Sequence, residues 1–369
     1  MSRLRQITTV QGHAKYKQAK HEIYQHLLRT GAKPGDKVCT EAVLMKDLRI
    51  SVTTARRALD ELVREGILDR RVGKGTFFRS LPVDTGQSSS TVLLLGHQSW
   101  QFLREDVYFG RIIGALGERL RVAGLRQVVL INDWGHDPET ELEDIRKHNP
   151  AAIIYSYGSY NSKPFILGMM ALGVPLMVYG NRLEGLRAGQ IYFDDYRGGV
   201  EAARHFARRG YQNVATIALP EDSPSGQLRQ AGFTQTVAGD PSMKLVGSIT
   251  AGGYGEAEGY RCVDGLLAGS NRPRAIFCGG DLLAFGAIKR LEELELSVPS
   301  DVAIMGYGDF QVSSFYHPQL TTIRMDLEQM GGEIGAWVER VASPSANNED
   351  ELTRFERMLP VELLVRNTT

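Results

Sequence analysis

The stretch that decides the fold of the N-terminal region reads Ser51-Val52-Thr53-Thr54-Ala55-Arg56-Arg57-Ala58-Leu59-Asp60-Glu61-Leu62-Val63-Arg64-Glu65. Ser51 is a favourable N-cap, because its hydroxyl can accept a hydrogen bond from a free amide of the first turn. Apolar residues then recur with helical spacing, at Ala55, Ala58, Leu59 and Leu62. The other face carries Thr53, Thr54, Arg56 and Arg57. This layout is typical of a helix that enters the major groove of DNA; a surface helix with solvated arginines is the alternative.

The neighbouring segments favour the first interpretation. Residues 15–29 have helical spacing, and Thr40 can cap a second short helix whose inward residues would be Val43, Leu44 and Leu48. Residues 68–71 and 76–79 have strand character and flank a glycine-rich basic turn, which predicts a β-hairpin. Three helices and a hairpin form a winged helix-turn-helix. A glycine at the hairpin tip lets the chain approach the sugar-phosphate backbone closely.

Many residues match a known pattern in register: Lys33-Pro34-Gly35-Asp36, Thr40-Glu41, Thr53-Thr54-Ala55-Arg56-Arg57-Ala58-Leu59 and Gly73-Lys74-Gly75-Thr76-Phe77. Residues 15–79 therefore resemble the winged-helix domain of the GntR family. The resemblance implies that the third helix reads the major groove and that the wing touches the backbone or minor groove. The DNA-binding residues that it implies are Thr40, Glu41, Ser51, Thr53, Thr54, Arg56, Arg57, Gly73 and Lys74.

Two positions depart from that family. Ala42 and Val52 stand where arginine is usual. Valine cannot make the bidentate contact that arginine makes with guanine. We therefore expect an operator that differs from the common family motif at the corresponding base pair.

Charge and composition agree with a separate basic head. The chain has 369 residues and no net charge, yet residues 1–80 hold 17 Lys and Arg against 8 Asp and Glu. A basic head on an acidic body indicates that the head alone meets a polyanion. The three cysteines have no metal-ligand spacing, and we expect reduced thiols in the cytoplasm. No signal peptide, membrane-length apolar run, metal motif, cofactor motif or catalytic motif is present, so we expect no cofactor and no enzyme activity.

The body follows a tether. Residues 81–90 are rich in Pro, Gly and Ser and predict a flexible linker between a head at 1–80 and a body at 91–369. In the body, short continuous apolar runs alternate with helical segments, as in sheets buried on both faces. The predicted fold class is α/β, with two lobes that each contain a doubly wound parallel sheet. Such sheets bind ligands at the carboxyl ends of their strands.

Several segments of the body carry a second resemblance: Val178-Tyr179-Gly180-Asn181-Arg182, Leu228-Arg229-Gln230-Ala231-Gly232-Phe233, Cys278-Gly279-Gly280-Asp281 and Gly306-Tyr307-Gly308-Asp309. Residues 91–369 resemble the effector domain of the lactose-repressor (LacI/GalR) family, which is akin to periplasmic sugar-binding proteins. A GntR-type head on such a body resembles the arrangement of the arabinose-responsive (AraR-type) repressors. The effector-binding residues that the resemblance implies are Trp100, Phe102, Tyr108, Asn181, Arg182, Arg229 and Asp281.

Three residues of these body segments depart from the pattern that is usual in the LacI/GalR family. Asn181 and Gly308 stand where aspartate is usual, and Gly280 stands where asparagine is usual. We expect a DNA-binding regulator, a repressor, that acts as a homodimer on an imperfect palindrome and responds to a small effector, a sugar. A solute receptor without a DNA role is the main alternative, and a sugar-metabolising enzyme is a third.

Overall fold

The computed structural model describes residues 16, 19–20, 22–23, 26–27, 35–38, 40–64, 67–71, 75–79, 90–97, 107–132, 138–156, 163–342 and 355–369. Five predicted features lie outside these residues: the wing tip with Gly73 and Lys74, the tether as far as residue 89, and the effector-loop residues Trp100 and Phe102.

The described part of the head contains two of the predicted helices and both hairpin strands, and the described residues between 16 and 27 are helical. Helix α1 is Glu41–Leu48, α2 is Val52–Arg64, and strands β1 (Leu68–Arg71) and β2 (Gly75–Phe78) pair antiparallel. The stripe predicted on α2 is buried, and Ala19, Ile23 and Leu27 share the same small core. One prediction was wrong: Val43 is 43% exposed rather than inward, because the short α1 turns only Leu44 and Leu48 to the core.

The first body sheet has six parallel strands in the order β13-β7-β6-β5-β3-β4. These strands are β3 (Thr91–His97), β4 (Arg126–Asn132), β5 (Ala152–Ser156), β6 (Leu176–Gly180), β7 (Gly189–Phe193) and β13 (Glu356–Leu359). The helices between them are α3 (Val107–Val122), α4 (Pro138–Lys147) and α5 (Lys163–Met170). Strands β5 and β6 are almost entirely buried, as their continuous apolar sequences predict.

The second body sheet has the order β14-β12-β11-β10-β8-β9 and is parallel except for β14, which pairs antiparallel with β12. Its strands are β8 (Asn213–Ala218), β9 (Lys244–Thr250), β10 (Ala275–Cys278), β11 (Ala303–Gly308), β12 (Thr321–Met325) and β14 (Val361–Leu364). Its helices are α6 (Asp195–Arg208), α7 (Pro224–Gly239), α8 (Glu256–Leu267) and α9 (Asp281–Glu293). The prediction of two doubly wound sheets is confirmed.

The chain crosses between the two sheets three times. It leaves the first lobe after β7, leaves the second lobe after β12 into α10 (Leu327–Val341), and crosses again between β13 and β14. Helix α10 belongs to the first lobe, where its fully buried Trp337 lies against Gly189 of β7. By packing, the described residues form two compact units. One holds the head with α4 and α5, and the other holds both sheets and the remaining helices.

Glycines bring pairs of helices into close contact in the second lobe. A Cβ at Gly199 would overlap the carbonyl of Arg229, and a Cβ at Gly232 would overlap the carbonyl of Tyr196. Helices α6 and α7 can therefore approach backbone to backbone. Gly259 and Gly286 do the same for α8 and α9. These contacts hold α6 and α9, whose first residues are Asp195 and Asp281, against their neighbouring helices.

Candidate functional site

The first turn of α2 is organised by one hydroxyl. The Ser51 Oγ accepts a hydrogen bond from the amide of Thr54 at 3.2 Å, as predicted for the N-cap. The same oxygen lies 2.8 Å from the hydroxyl of Thr53 and 2.8 Å from that of Thr54. The three predicted DNA-contacting hydroxyls are thus joined into one network. This network orders the first turn before any ligand is bound.

Glu41 and Arg56 form a bidentate pair. The Arg56 guanidinium donates from Nε to Glu41 Oε1 at 3.2 Å and from Nη2 to Oε2 at 3.1 Å. Its hydrogen bonds and charge hold the pKa of Glu41 below its ordinary value. The Arg56 side chain remains 60% exposed. The pair therefore connects the starts of α1 and α2 and presents a positioned guanidinium to solvent.

Other cations of the head also have defined partners. Arg57 lies over the Tyr16 ring, with 3.8 Å between its Cζ and the ring centroid, and approaches Glu61 at 3.9 Å. Thr40 caps α1 by accepting from the amide of Val43 at 3.4 Å. In strand β1, Arg70 donates to Asp60 of α2 at 2.8 Å. Thr40, Glu41, Ser51, Thr53, Thr54, Arg56 and Arg57 therefore lie on a packed head whose helices meet at their N-terminal ends.

Arg229 is the centre of the polar groups in the body. Its Nε donates to Asp195 Oδ1 at 2.7 Å, its Nη1 to the carbonyl of Gly279 at 2.8 Å, and its Nη2 reaches the sulfur of Met325 at 3.6 Å. The Tyr307 ring lies 3.8 Å from its Cζ. Arginine has five N–H groups, so two remain without a partner among the described residues.

Burial controls the charges of this pair. Asp195 and Arg229 are 4% and 7% exposed. Burial raises the pKa of Asp195 above its ordinary value, and the charge and hydrogen bond of Arg229 oppose that rise. Burial also disfavours the charge on Arg229, but Asp195 outweighs it, and the pKa of Arg229 is raised. Removing either partner would leave a buried charge without compensation.

Asp281 is fully buried, with both carboxylate oxygens engaged. Its Oδ1 accepts from the hydroxyl of Thr322 at 2.6 Å, and its Oδ2 accepts from the amide of Phe310 at 2.9 Å and the hydroxyl of Ser313 at 2.7 Å. Burial raises the pKa of this carboxyl, while these hydrogen bonds oppose the rise. The structure thus places Asp281 as the anchor of the loop after β11. A direct contact with an effector stays a prediction.

Tyr108 connects the two lobes. It lies on α3 of the first lobe, and its hydroxyl reaches the carbonyl of Tyr307 in the second lobe at 3.5 Å. Its ring meets Phe310 edge to face, with 4.9 Å between centroids. A Cβ at Gly308 would lie 2.6 Å from the Tyr108 hydroxyl. The phenol thus occupies the space beside a glycine that stands where the related family has aspartate.

Arg182 is not joined to Arg229 or Asp281 by any described contact. Its Nε donates to Glu356 Oε1 at 2.7 Å, and its Nη1 approaches Glu184 at 3.5 Å. Tyr192 donates to the same oxygen of Glu356 at 2.7 Å. Asn181 directly follows β6, at the carboxyl end of its strand. The two predicted effector residues therefore have different surroundings. Arg182 pairs with Glu356 of β13, whereas Asn181 lies at the carboxyl end of β6.

Sequence reasoning missed the partners of Arg229. Asp195, Tyr307 and Met325 come from three distant segments, and none was assigned a role. A signal was present: two adjacent aspartates follow β7 immediately, at the carboxyl end of a buried strand. Acidic residues at that position are unusual unless they cap a helix or pair with a cation. Asp194 does cap α6, and Asp195 pairs with Arg229.

Comparison with known families matches two separate stretches of the chain. Residues 15–78 match the family model described as bacterial regulatory proteins of the gntR family, and residues 203–369 match that of a periplasmic binding protein-like domain. The repressor PurR of Klebsiella pneumoniae (strain 342) is 33% identical over 231 residues, which are 62% of this chain and 67% of PurR. The chain belongs to the lactose-repressor (LacI/GalR) family. Its head is of the GntR type.

Further relatives of this LacI/GalR-family chain extend the match. The repressor PurR of Haemophilus influenzae (strain PittEE) is 25% identical over 316 residues, covering 84% of this chain and 89% of PurR. Among solved structures, the regulator CelR in complex with cellobiose is 21% identical, covers 87% of this chain and 92% of CelR, and has a TM-score of 0.68. A lac repressor dimer bound to operator and the anti-inducer ONPF is 22% identical, and the match covers 77% of this chain and 95% of the lac repressor chain, with a TM-score of 0.66. These structures share the fold.

The LacI/GalR-family chain is therefore a DNA-binding transcriptional regulator with a ligand-binding body. No described helix has the length and apolar character needed to cross a membrane. Within the described ranges, no cluster of three or more His, Cys, Asp or Glu side chains is arranged to hold a metal ion.

Proposed function

We propose that this regulator is a cytoplasmic repressor without enzyme activity, whose operator affinity is controlled by a sugar bound between its two lobes. It acts as a homodimer on an imperfect palindrome. One observation supports this proposal above the others: a single chain joins a winged helix to a two-lobed body of a repressor family, and its helix α2 has an ordered first turn followed by the exposed guanidinium of Arg56.

The effector part of the proposal rests on Arg229 and its surroundings. A sugar presents hydroxyls to directional N–H donors and apolar C–H faces to aromatic rings. Arg229 keeps two N–H groups for such hydroxyls, and Tyr108 brings a ring from the opposite lobe. Related proteins are described with cellobiose and with ONPF. Trp100, Phe102, Asn181 and Arg182 remain proposed contacts, and Asp281 is proposed to act by holding the loop after β11.

The alternative is a solute receptor without a DNA role. The first 80 residues hold 17 Lys and Arg against 8 Asp and Glu. A basic segment of this kind is typical of a nucleic-acid-binding domain, and solute binding does not require it. Such a receptor also has no use for a guanidinium held by Glu41 at the start of a recognition helix. A receptor would not bind a duplex in preference to competitor DNA.

DNA binding is tested with the full chain and a labelled duplex from the region upstream of its own gene. We expect Arg56→Ala to weaken specific binding by about tenfold to a hundredfold, the range for loss of a good base or phosphate contact. Arg64→Ala is the matched control, because Arg64 is an exposed arginine at the opposite end of the same helix. Equal affinity of Arg56→Ala and the parent would contradict the proposed surface.

Effector binding is tested by thermal unfolding of the full chain against a panel of mono- and disaccharides. A ligand that binds only the folded state raises its stability by about 2.7 kcal/mol at a hundredfold excess over Kd. Arg229→Lys keeps the charge but loses the directional N–H groups, and we expect it to remove the shift. Arg324→Lys, an exposed arginine paired with Glu362, should keep the shift. A panel without any shift would remove the sugar from the proposal.

A further inference from the structure

The first turn of the recognition helix α2 exposes one apolar side chain, whereas the hydroxyls of the same turn are hydrogen-bonded within the turn. Val52 is the first residue of α2 and is 41% exposed, although its neighbours in the first turn carry hydroxyls. The hydroxyl of Ser51 is hydrogen-bonded to the hydroxyls of Thr53 and Thr54. Breaking this network to contact a base would cost those hydrogen bonds. Val52 has no such cost, because it has no polar atom to release.

The spacing between Val52 and Arg56 shows which edge of the helix Val52 lies on. Residues four apart on a helix share one edge, so Val52 and Arg56 lie on the same edge, one turn apart. Arg56 is held on that edge by Glu41 of α1 and stays largely exposed. If Arg56 meets the DNA there, Val52 meets it one turn nearer the N-terminus of the helix. That end of a recognition helix contacts base edges.

The major groove offers one apolar group, the C5 methyl of thymine. We propose that Val52 reads a thymine methyl in each half-site, and that it is a specificity-determining residue of the operator. The inference rests on DNA binding by the head. It goes further by replacing an expected guanine contact with a thymine contact at one defined position.

The first step of the test identifies the half-site. The full chain selects duplexes from a randomised pool, and the selected half-site should contain a dT that is lost when the pool is selected with Val52→Ala. Val52→Arg restores the side chain usual in GntR-type heads and should select dG at that position. A consensus that Val52→Ala leaves unchanged would overturn the inference. A pool without any selected sequence would overturn DNA binding as well.

The second step removes only the methyl group. Each dT of the selected duplex is replaced in turn by deoxyuridine in both half-sites. Burial of one methyl group against valine corresponds to about fourfold in affinity per half-site. We expect deoxyuridine at one position to lower the affinity of the parent by this factor. At that position, Val52→Ala should bind the dT and dU duplexes with equal affinity. The exposure of Val52 leaves the fold intact on truncation, which equal thermal unfolding of Val52→Ala and the parent verifies.

Val43→Ala is the matched control. Val43 is an equally exposed valine, 43%, on the neighbouring helix. We expect this variant to keep the fourfold preference for dT over dU. A parent that tolerates deoxyuridine everywhere would overturn the inference while leaving the DNA-binding function intact. Full deoxyuridine sensitivity in Val52→Ala, or its loss in Val43→Ala, would place the thymine contact on another residue.

Discussion

At the scale of single residues, the buried pair of Asp195 and Arg229 links the stability of the second lobe to recognition. Arg229 donates one hydrogen bond from Nε to Asp195 and one from Nη1 to the Gly279 carbonyl. These two hydrogen bonds hold the guanidinium in a fixed position. A preorganised guanidinium loses little freedom when a ligand binds. The same burial makes each partner costly to remove alone.

A double-mutant cycle tests this pair. We expect Arg229→Met to lower the free energy of unfolding by about 3–5 kcal/mol, because Asp195 is left as a buried charge without compensation. Adding Asp195→Asn should recover most of that loss. The measurement is urea unfolding of the parent, both single variants and the double variant. Additive losses in the double variant would show that the two side chains do not interact.

His205 gives the second lobe a pH dependence. It is 4% exposed, its Nε2 lies 2.9 Å from the hydroxyl of Thr369, and burial together with Arg208 and Arg209 lowers its pKa to about 4. The unfolded chain takes up a proton on this residue near pH 6.5, whereas the folded chain keeps it neutral down to about pH 4. The unfolded state thus binds more protons, and stability falls as the pH falls through this window.

The expected size is roughly 2 kcal/mol of lost stability between pH 7 and pH 5. His205→Gln keeps a side chain that can hydrogen-bond but cannot titrate. We expect chemical unfolding of this variant to show a correspondingly smaller loss between the two pH values, since the other histidines are common to both proteins. Parallel pH profiles for variant and parent would mean that His205 takes up its proton at the same pH in the folded and the unfolded chain.

Single residues also show where sequence reasoning stops. The resemblance to the LacI/GalR family implied that Asp281 contacts the effector. Its actual partners, Thr322, Ser313 and the Phe310 amide, come from positions far along the chain. Arg182 likewise turns to Glu356, which is 174 residues away. Spacing predicts which strand end holds a residue, but the rotamer depends on neighbours that only the fold brings together.

At the scale of elements, periodicity was a reliable guide. The stripe of α2, its Ser51 cap and the β1–β2 hairpin follow from local sequence alone, because a capped amphipathic helix and a glycine turn are local structures. The continuous apolar runs of β5, β6 and β10 likewise predicted strands buried on both faces. The exposed Val43 shows the limit, since a short helix has room for few inward residues.

The close approach of α6 and α7 yields a prediction at this scale. Gly199→Ala would place a Cβ against the Arg229 carbonyl. We expect it to lower the free energy of unfolding by about 1–3 kcal/mol, the cost of overpacking, and to weaken effector binding by displacing Arg229. Gly239→Ala is the control, because its Cβ would meet nothing within 4 Å. Thermal unfolding of both variants is the measurement, and equal stability would mean that the helices can move apart freely.

At the scale of the whole molecule, we expect a homodimer, because two linked heads gain affinity through effective concentration. Phe315 and Val312 are 81% and 45% exposed in one short segment after β11, and exposed apolar patches mark interaction sites. Phe315→Asp should therefore raise the dimer dissociation constant at least tenfold in sedimentation velocity. Leu245→Asp, on the edge strand β9, is the control. A monomeric parent, or a dimer that Phe315→Asp leaves intact, would contradict this prediction.

Ligand control requires that the effector bind one arrangement of the lobes better than another. A ligand shifts such an equilibrium only by its differential affinity for the two arrangements. Two contacts already join the lobes: the ring of Tyr108 meets Phe310 edge to face, and Arg111, which pairs with Glu328 of its own lobe, donates to the Asp309 carbonyl at 3.3 Å. A sugar between Arg229 and Tyr108 would add to these contacts and favour the joined form.

The central claim is that occupancy of the body changes the affinity of the head for DNA. The most direct measurement is an anisotropy titration of the labelled upstream duplex with the full chain, with and without the sugar that stabilises it. We predict that saturating sugar changes the operator Kd by about 5- to 150-fold, a typical coupling between sites. We also predict that Arg229→Lys removes the change but keeps the affinity without sugar. The same operator Kd with and without bound sugar would contradict the account.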